Sequence, residues 1–218
     1  GDPIDTPRLY LYPMMNENRR AENSSALIGM LSKSYPDVLD WRHYADQGLH
    51  LESTASIARD RVNSTGYVAL SPRTHKELAE KWLAEMGYEG VYFETRSHAG
   101  IPVYHTDCVM WIGTGIAGIC TEAITEEYRD DVLTRLRSTH EVVEFDMRQL
   151  RAFCGNALEV RGADDKRYLA MSSGAVAALR DDQRAMIEAN FEGIVHSNLA
   201  TLETYGGGSA RCMLMELF

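Results

Sequence analysis

The stretch "TASIARDRVNSTGYVALSPRTHKELAEKWLAEMGYEGVYFET", residues 54–95, decides the fold. Its first part, 54–70, reads as two strands around a turn rich in Asn, Ser, Thr and Gly. Residues 71–88 follow as a helix. Ser71 is placed to cap it, Pro72 suits its first turn, and Gly87 can end it. Residues 90–95 read as a third strand. The order is strand, strand, helix, strand.

That order recurs along the chain. Residues 107–124 carry a Gly-Thr-Gly centre between apolar runs, 125–137 read as a helix capped by Thr125, and 140–145 as a strand. A third round runs through a hairpin at 156–172, a helix at 173–191 and a strand at 193–199. The helices start near 71, 125 and 173, so the spacings are 54 and 48 residues. Both ends hold fragments of the same unit. Residues 8–14, 18–33 and 37–41 read as strand, helix and strand without the first hairpin strand, and 210–218 as a lone strand. Isolated strands leave backbone donors and acceptors unpaired. Two arrangements follow. Either the last strand pairs with the first, or an upstream stretch supplies the missing part. The start at Gly1 inside a unit points to the second, with residues 1–218 forming one domain whose N-terminal unit is incomplete.

The rest of the sequence narrows the function. The chain has 218 residues, 44% hydrophobic and 25% charged, as in an ordinary globular protein. A net charge of −10 argues against a nucleic-acid surface, which needs clustered Lys and Arg. Apolar runs are too short to span a membrane. The four cysteines, Cys108, Cys120, Cys154 and Cys212, form no CxxC and no Cys/His grouping with zinc-ligand spacing, so no metal is expected. Their low density suits a reducing, cytoplasmic setting rather than a disulfide framework.

Polar residues fall at matching points of the repeat. Glu52 precedes the first hairpin, His105 and Asp107 the second, Asn156 the third, and Cys212 lies on the last strand. The steps 52 to 105, 105 to 156 and 156 to 212 are 53, 51 and 56 residues. Equivalent positions of a cyclic array face one axis, so a carboxylate, an imidazole and a thiol would converge. Cys212 is the candidate nucleophile. His105 is the candidate proton carrier, and Glu52 would orient it or hold a cation. Asp107, two residues from His105 on a presumed strand, would share its face. The glycines at 206–208 would let backbone approach a ligand closely. Asn156 reads as a turn residue, and Cys108, Cys120 and Cys154 as core.

The motifs "YHTD" (104–107), "SPRTH" (71–75), "LESTAS" (51–56) and "ETYGGGSARCML" (203–214) together resemble the guanidino-group-modifying superfamily. That superfamily includes arginine deiminases, dimethylarginine hydrolases and amidinotransferases, and the likeness is nearest to arginine-deiminase-related citrulline hydrolases. The resemblance spans essentially the whole chain. It implies a five-bladed α/β propeller (pentein-like) of ββαβ units around a pseudo-fivefold axis, working without cofactor or metal. It implies a hydrolase cleaving a C–N bond of a small guanidino or ureido substrate, an arginine derivative or citrulline, through a covalent intermediate on Cys212. His105 and Glu52 would be the other catalytic residues. Asp107 would bind the planar nitrogens and Arg73 the substrate's α-carboxylate. Ser53 and Ala55 stand where relatives often carry glycine. An amidinotransferase or a non-catalytic propeller binding module are the alternatives. An upstream fragment of the same polypeptide, or a second copy of the chain, are the candidate protein partners.

Overall fold

A computed structural model describes residues 7–216. The three repeats in the sequence are three sheets of one design. Strands β3 (Ala58–Asp60) and β4 (Thr65–Leu70) pair antiparallel, and β4 pairs parallel with β5 (Glu89–Glu94). The sheet β6 (Met110–Ile112), β7 (Ile116–Cys120) and β8 (Glu141–Phe145) repeats this, as does β9 (Leu158–Arg161), β10 (Arg167–Ser172) and β11 (Gly193–Ser197). In each, a helical crossover joins the second strand to the third, as parallel pairing requires. At the N-terminal end β1 (Arg8–Leu11) pairs parallel with β2 (Asp37–Asp40) around helices α1 (Glu17–Arg20) and α2 (Ser25–Leu31). Among the described residues β2 is the only strand bonded to β1.

Helix α3 (Lys76–Met86) shows why the pattern folds so. Leu78, Ala79, Trp82, Leu83 and Met86 recur at helical spacing and all are buried. Gly87 ends it in the left-handed region, φ 72°, and the Tyr88 N–H reaches back to the Leu83 carbonyl at 2.8 Å. The helix starts later than the sequence suggests. Ser71 does not cap it: its hydroxyl donates to the Tyr104 carbonyl and accepts from the Arg73 N–H. Residues 71–74 therefore form a tight turn, and His75 takes the capping position. Before the second hairpin lies helix α4 (Thr106–Val109). Helix α5 (Glu126–Arg137) carries acids in its first turn and arginines in its last, as the helix dipole favours. Thr125 precedes it without a side-chain cap bond.

After α6 (Met147–Arg151) and the third hairpin, the helix expected at 173–191 is two, α7 (Ser173–Ala178) and α8 (Asp181–Asn190). Gln149 explains the break. Its amide donates to the Ala178 carbonyl and to Gln183 Oε1, which in turn accepts the Arg180 N–H.

The first strands of successive hairpins adjoin: β6 lies against β3 and β9. A cavity of about 160 Å³ among them is lined by Ala58, Met110 and Leu158, with Asp107 also on its wall. Tyr10 packs on Trp41, just after β2, at 5.6 Å, and its contact with Trp82 at 6.2 Å holds the N-terminal sheet to α3.

The strand expected at 210–218 is absent among the described residues. Helix α9 (Ala200–Gly206), which the sequence reading lacks, is followed by a 3-10 turn at Arg211–Met213. The Arg211 and Cys212 N–H groups bond to the side chain of Asn156 rather than to a strand. This segment does not pair with β1; residues 217 and 218 lie outside the described residues.

Candidate active site

Each unit places one polar residue just ahead of its first hairpin strand. Glu52 begins a 3-10 turn, Ser53–Ala55, before β3. Its side chain is buried, with one partner at each oxygen: Oε1 accepts the Met15 N–H at 2.9 Å and Oε2 lies 2.7 Å from His105 Nε2. Burial pushes the Glu52 carboxyl up, but the hydrogen bonds from His105 and Met15 and the charge of Arg73 outweigh it. The group lies below its ordinary value and is a carboxylate. A carboxylate only accepts, so His105 Nε2 carries the proton in this contact and Nδ1 is left for proton transfer. Ser53 follows at φ 60°, a conformation glycine adopts more readily than serine.

His105 has extended backbone at the N-terminal boundary of α4, and Asp107 is inside that helix. The two are therefore not on one strand face, yet both are nine-tenths or more buried. The α4 turn aims Asp107 at the C-terminal segment: its Oδ2 is 3.6 Å from Cys212 Sγ, and its Oδ1 3.6 Å from Cys108 Sγ. Burial, then the neighbouring Cys212 charge, pushes the Asp107 carboxyl up to about 7.

Arg73 projects from the 71–74 turn. Its Nη1 is 3.7 Å from Glu52 Oε2, and its guanidinium lies over the Tyr104 ring at 5.0 Å. The Tyr104 hydroxyl reaches the Gly207 carbonyl and ties this turn to the segment carrying Cys212.

Cys212 is exposed as a residue, but its sulfur is well partnered. It receives the Asn156 Nδ2–H at 3.1 Å. A hydrogen bond from Cys108 lowers its pKa most; burial opposes this, and the Ser209 N–H, Asn156 and Asp107 add to the lowering, which brings it to about 6. A thiolate is thus favoured by the protein's own donors. Cys108 moves oppositely. Its bond to Cys212, then burial, pushes it well above the ordinary thiol value.

Two glycines make this packing feasible. A side chain at Gly155 would meet the Cys108 carbonyl at 2.5 Å, so the loop bearing Asn156 rests on the backbone behind Asp107. A side chain at Gly208 would meet Cys212 Cβ at 3.1 Å and Sγ at 3.3 Å. The three glycines act as a helix stop and a close contact: Gly206 ends α9, and Gly207 turns left-handed at φ 70°.

Two residues have roles that the sequence reading did not give them. Asn156 closes a turn as expected, its N–H on the Phe153 carbonyl at 2.9 Å, but its side chain has a further role. It is fully buried, donates to the Asp107 carbonyl at 2.9 Å, and accepts from the N–H groups of Arg211 and Cys212. Its place at one repeat interval from His105 was the available signal. Cys108 is buried as expected, but its thiol belongs to the site. Among the described residues, Asp107, Cys108 and Cys212 are the one group whose donor atoms, all within 4.8 Å of one another, have the spacing to hold a metal ion. Sequence spacing could not show it, because Cys212 is distant along the chain.

A model of the family described as N,N dimethylarginine dimethylhydrolase, eukaryotic, matches residues 4–218. No curated protein sequence matches the chain. Among solved structures, an apo arginine dihydrolase, ArgZ, of the ornithine–ammonia cycle in cyanobacteria is similar with TM-score 0.74 at 15% identity. That match covers 96% of this chain and 30% of ArgZ. The N-terminal domain of ArgZ, as a cysteine-to-serine variant bound to substrate, gives TM-score 0.73 at 15% identity, covering 95% of this chain and 70% of that one. A dimethylarginine dimethylaminohydrolase variant in adduct with S-methyl-L-thiocitrulline gives 0.60 at 14%, covering 94% and 69%. At such identities these structures establish the fold, which is that of the pentein-type enzymes. The superfamily expected from the motifs is met, through its dimethylarginine branch: the chain belongs to the eukaryotic N,N-dimethylarginine dimethylhydrolase family.

Proposed function

We propose that the protein is a hydrolase of a small guanidino or ureido compound, with Nω-methylated L-arginine the first candidate, arginine the next, and the ureido compound citrulline after it. The carrying observation is the approach of Cys212 Sγ to the buried Asp107 carboxyl at 3.6 Å, two residues along the chain from His105, which pairs with Glu52. Asp107 and Glu52 hold the planar N–H groups of the cation. The Cys212 thiolate attacks the central carbon. The carbon–nitrogen bond to the leaving amine breaks as His105 gives that amine a proton, and an S-alkyl-isothiourea intermediate remains on Cys212. His105 then takes a proton from water. The hydroxide adds to the same carbon, the carbon–sulfur bond breaks, and a ureido product leaves with the thiolate restored. Arg73, facing Glu52 and Tyr104, takes the substrate's α-carboxylate.

Each step uses only these side chains, the substrate and water. A similar structure supports the covalent step: an asparagine-to-serine variant of the ArgZ N-terminal domain covalently bound to a reaction intermediate. We read the four sheets as blades of an α/β propeller around the axis that β3, β6 and β9 border. Four free cysteines fit a reducing compartment, and no described helix is long and apolar enough to cross a membrane.

The test is product analysis in ¹⁸O-labelled water with dimethylarginine, arginine and citrulline, each with and without an added amine acceptor. Label in the ureido product of a guanidine, or in the carbamate or carbon dioxide from citrulline, unchanged by the acceptor, supports the hydrolase. Transfer of the amidino group to the acceptor supports an amidinotransferase. Tight substrate binding with no product supports a non-catalytic binding module.

A further inference from the structure

The Proposed function uses Cys212 but leaves the second thiol beside it without a task. Cys108 Sγ and Cys212 Sγ lie within 4.8 Å of each other, and Asp107 contacts both at 3.6 Å. They differ in exposure. Cys212 is exposed and Cys108 is 6% exposed, so an oxidant from solvent meets Cys212 first. A disulfide bond is about 2.05 Å long, so a few ångströms must close, a distance within reach of rotating the two side chains. Neither sulfur sits in a long regular element. Cys108 is in a four-residue helix and Cys212 in a single 3-10 turn.

We propose that Cys108 is a resolving thiol for Cys212, so that peroxide oxidation closes the site reversibly through a Cys108–Cys212 disulfide. Cys212 thiolate attacks one oxygen of hydrogen peroxide; the O–O bond breaks, hydroxide leaves, and Cys212 becomes a sulfenic acid. The Cys108 sulfur attacks the Cys212 sulfur, its proton leaves with the departing hydroxyl as water, and the S–S bond forms. Two thiols and one peroxide give one disulfide and two waters. The difference between the two thiols assists each step. Cys212 is poised as thiolate near neutral pH, and Cys108 stays a protonated, shielded thiol until the sulfenic acid stands beside it. Cys120 and Cys154 are occupied elsewhere, donating to the Asp146 and Ala175 carbonyls. Without a resolving partner the sulfenic acid proceeds to sulfinic acid, which thiols do not reverse. The disulfide therefore protects the nucleophile as well as silencing it.

The activity consequence rests on the Proposed function; the cross-link does not, so the two can fail separately. The experiment treats the purified chain, in the presence of a chelator, with a small molar excess of hydrogen peroxide. Free thiols are then blocked under denaturing conditions, and the intact mass and a non-reducing tryptic digest are measured. The expected product is monomeric, carries two blocking groups where the reduced chain carries four, is lighter by about 2 Da apart from them, and is restored by dithiothreitol added before blocking. It joins the tryptic peptide 97–129 to the peptide 212–218, with fragment spectra placing the link at Cys108 rather than at Cys120 on the same peptide. In C108S and C108A the link disappears, and Cys212 instead gains about 32 Da that dithiothreitol does not remove. Either a link to Cys120 or Cys154, or sulfinic acid at Cys212 forming as fast in the unaltered chain as in C108A, overturns the proposal. The unaltered chain gives this answer even if both variants fail to fold. If the link forms and no guanidino compound is turned over, the redox pair stands and the enzymatic reading fails.

Discussion

Replacing Asn156 by alanine withdraws the support beneath Cys212. The wild-type side chain is fully buried, donates to the Asp107 carbonyl and Cys212 Sγ, and accepts from the Arg211 and Cys212 N–H groups. Truncation leaves at least the Asp107 carbonyl and the Arg211 N–H without partners, at about 1–3 kcal/mol each. A loss of roughly 2–6 kcal/mol in folding stability follows, read by urea unfolding on tryptophan fluorescence. The thiolate also loses a charge-assisted donor. Because Cys212 is exposed, the low end of the range applies, about 1.5 kcal/mol or about one pKa unit. The pH–rate curve for iodoacetamide alkylation of Cys212, followed on its tryptic peptide, should then move from a midpoint of about 6 in the wild type to near neutrality. An unmoved midpoint in a variant that still folds would refute the role of Asn156 in holding the thiolate.

In the unaltered chain only the thiolate reacts, so alkylation of Cys212 should fall about tenfold per pH unit below pH ~6 and level off above it, while Cys108 stays unlabelled at neutral pH; equal labelling of both would contradict the described environments. Gly155→Ala places a Cβ at 2.5 Å from the Cys108 carbonyl and should destabilise by roughly 1–3 kcal/mol or more, measured in urea; a neutral result would mean the loop is not packed as described. His105→Ala should lower turnover by about 10²–10⁴ while Cys212 still accepts an alkylating reagent. Glu52→Gln should reduce the preference of Cys212 for a cationic amidine over a neutral reagent of similar reactivity, since one carboxylate facing the site is neutralised; an unchanged preference would remove Glu52 from cation binding.

The three hairpin–helix–strand units were legible because their signals are local: buried positions at helical spacing in α3, Gly87 after it, and turn residues between short apolar runs. Equal spacing of Glu52, His105 and Asn156 was legible for the same reason, since each precedes a hairpin. What escaped the sequence was decided by distant side chains. The helix expected at 173–191 breaks because Gln149, from an earlier helix, takes the Ala178 carbonyl. The last segment is an apolar run that looks like a strand, but its N–H groups are taken by Asn156. Ser71 looked like a cap, yet its hydroxyl serves the turn that presents Arg73. Cys108 looked like core because burial was all its neighbours could signal, whereas its nearness to Cys212 depends on a contact across 104 residues of chain.

The most direct test of the central claim is the intact mass of the protein during exposure to a haloacetamidine, a cationic amidine that carries a leaving halide. The account predicts one amidine adduct per chain, located at Cys212, slowed by competing guanidino substrate and absent in Cys212→Ser. An adduct at Cys108, Cys120 or Cys154, or labelling of Cys212 that substrate does not slow, would contradict it.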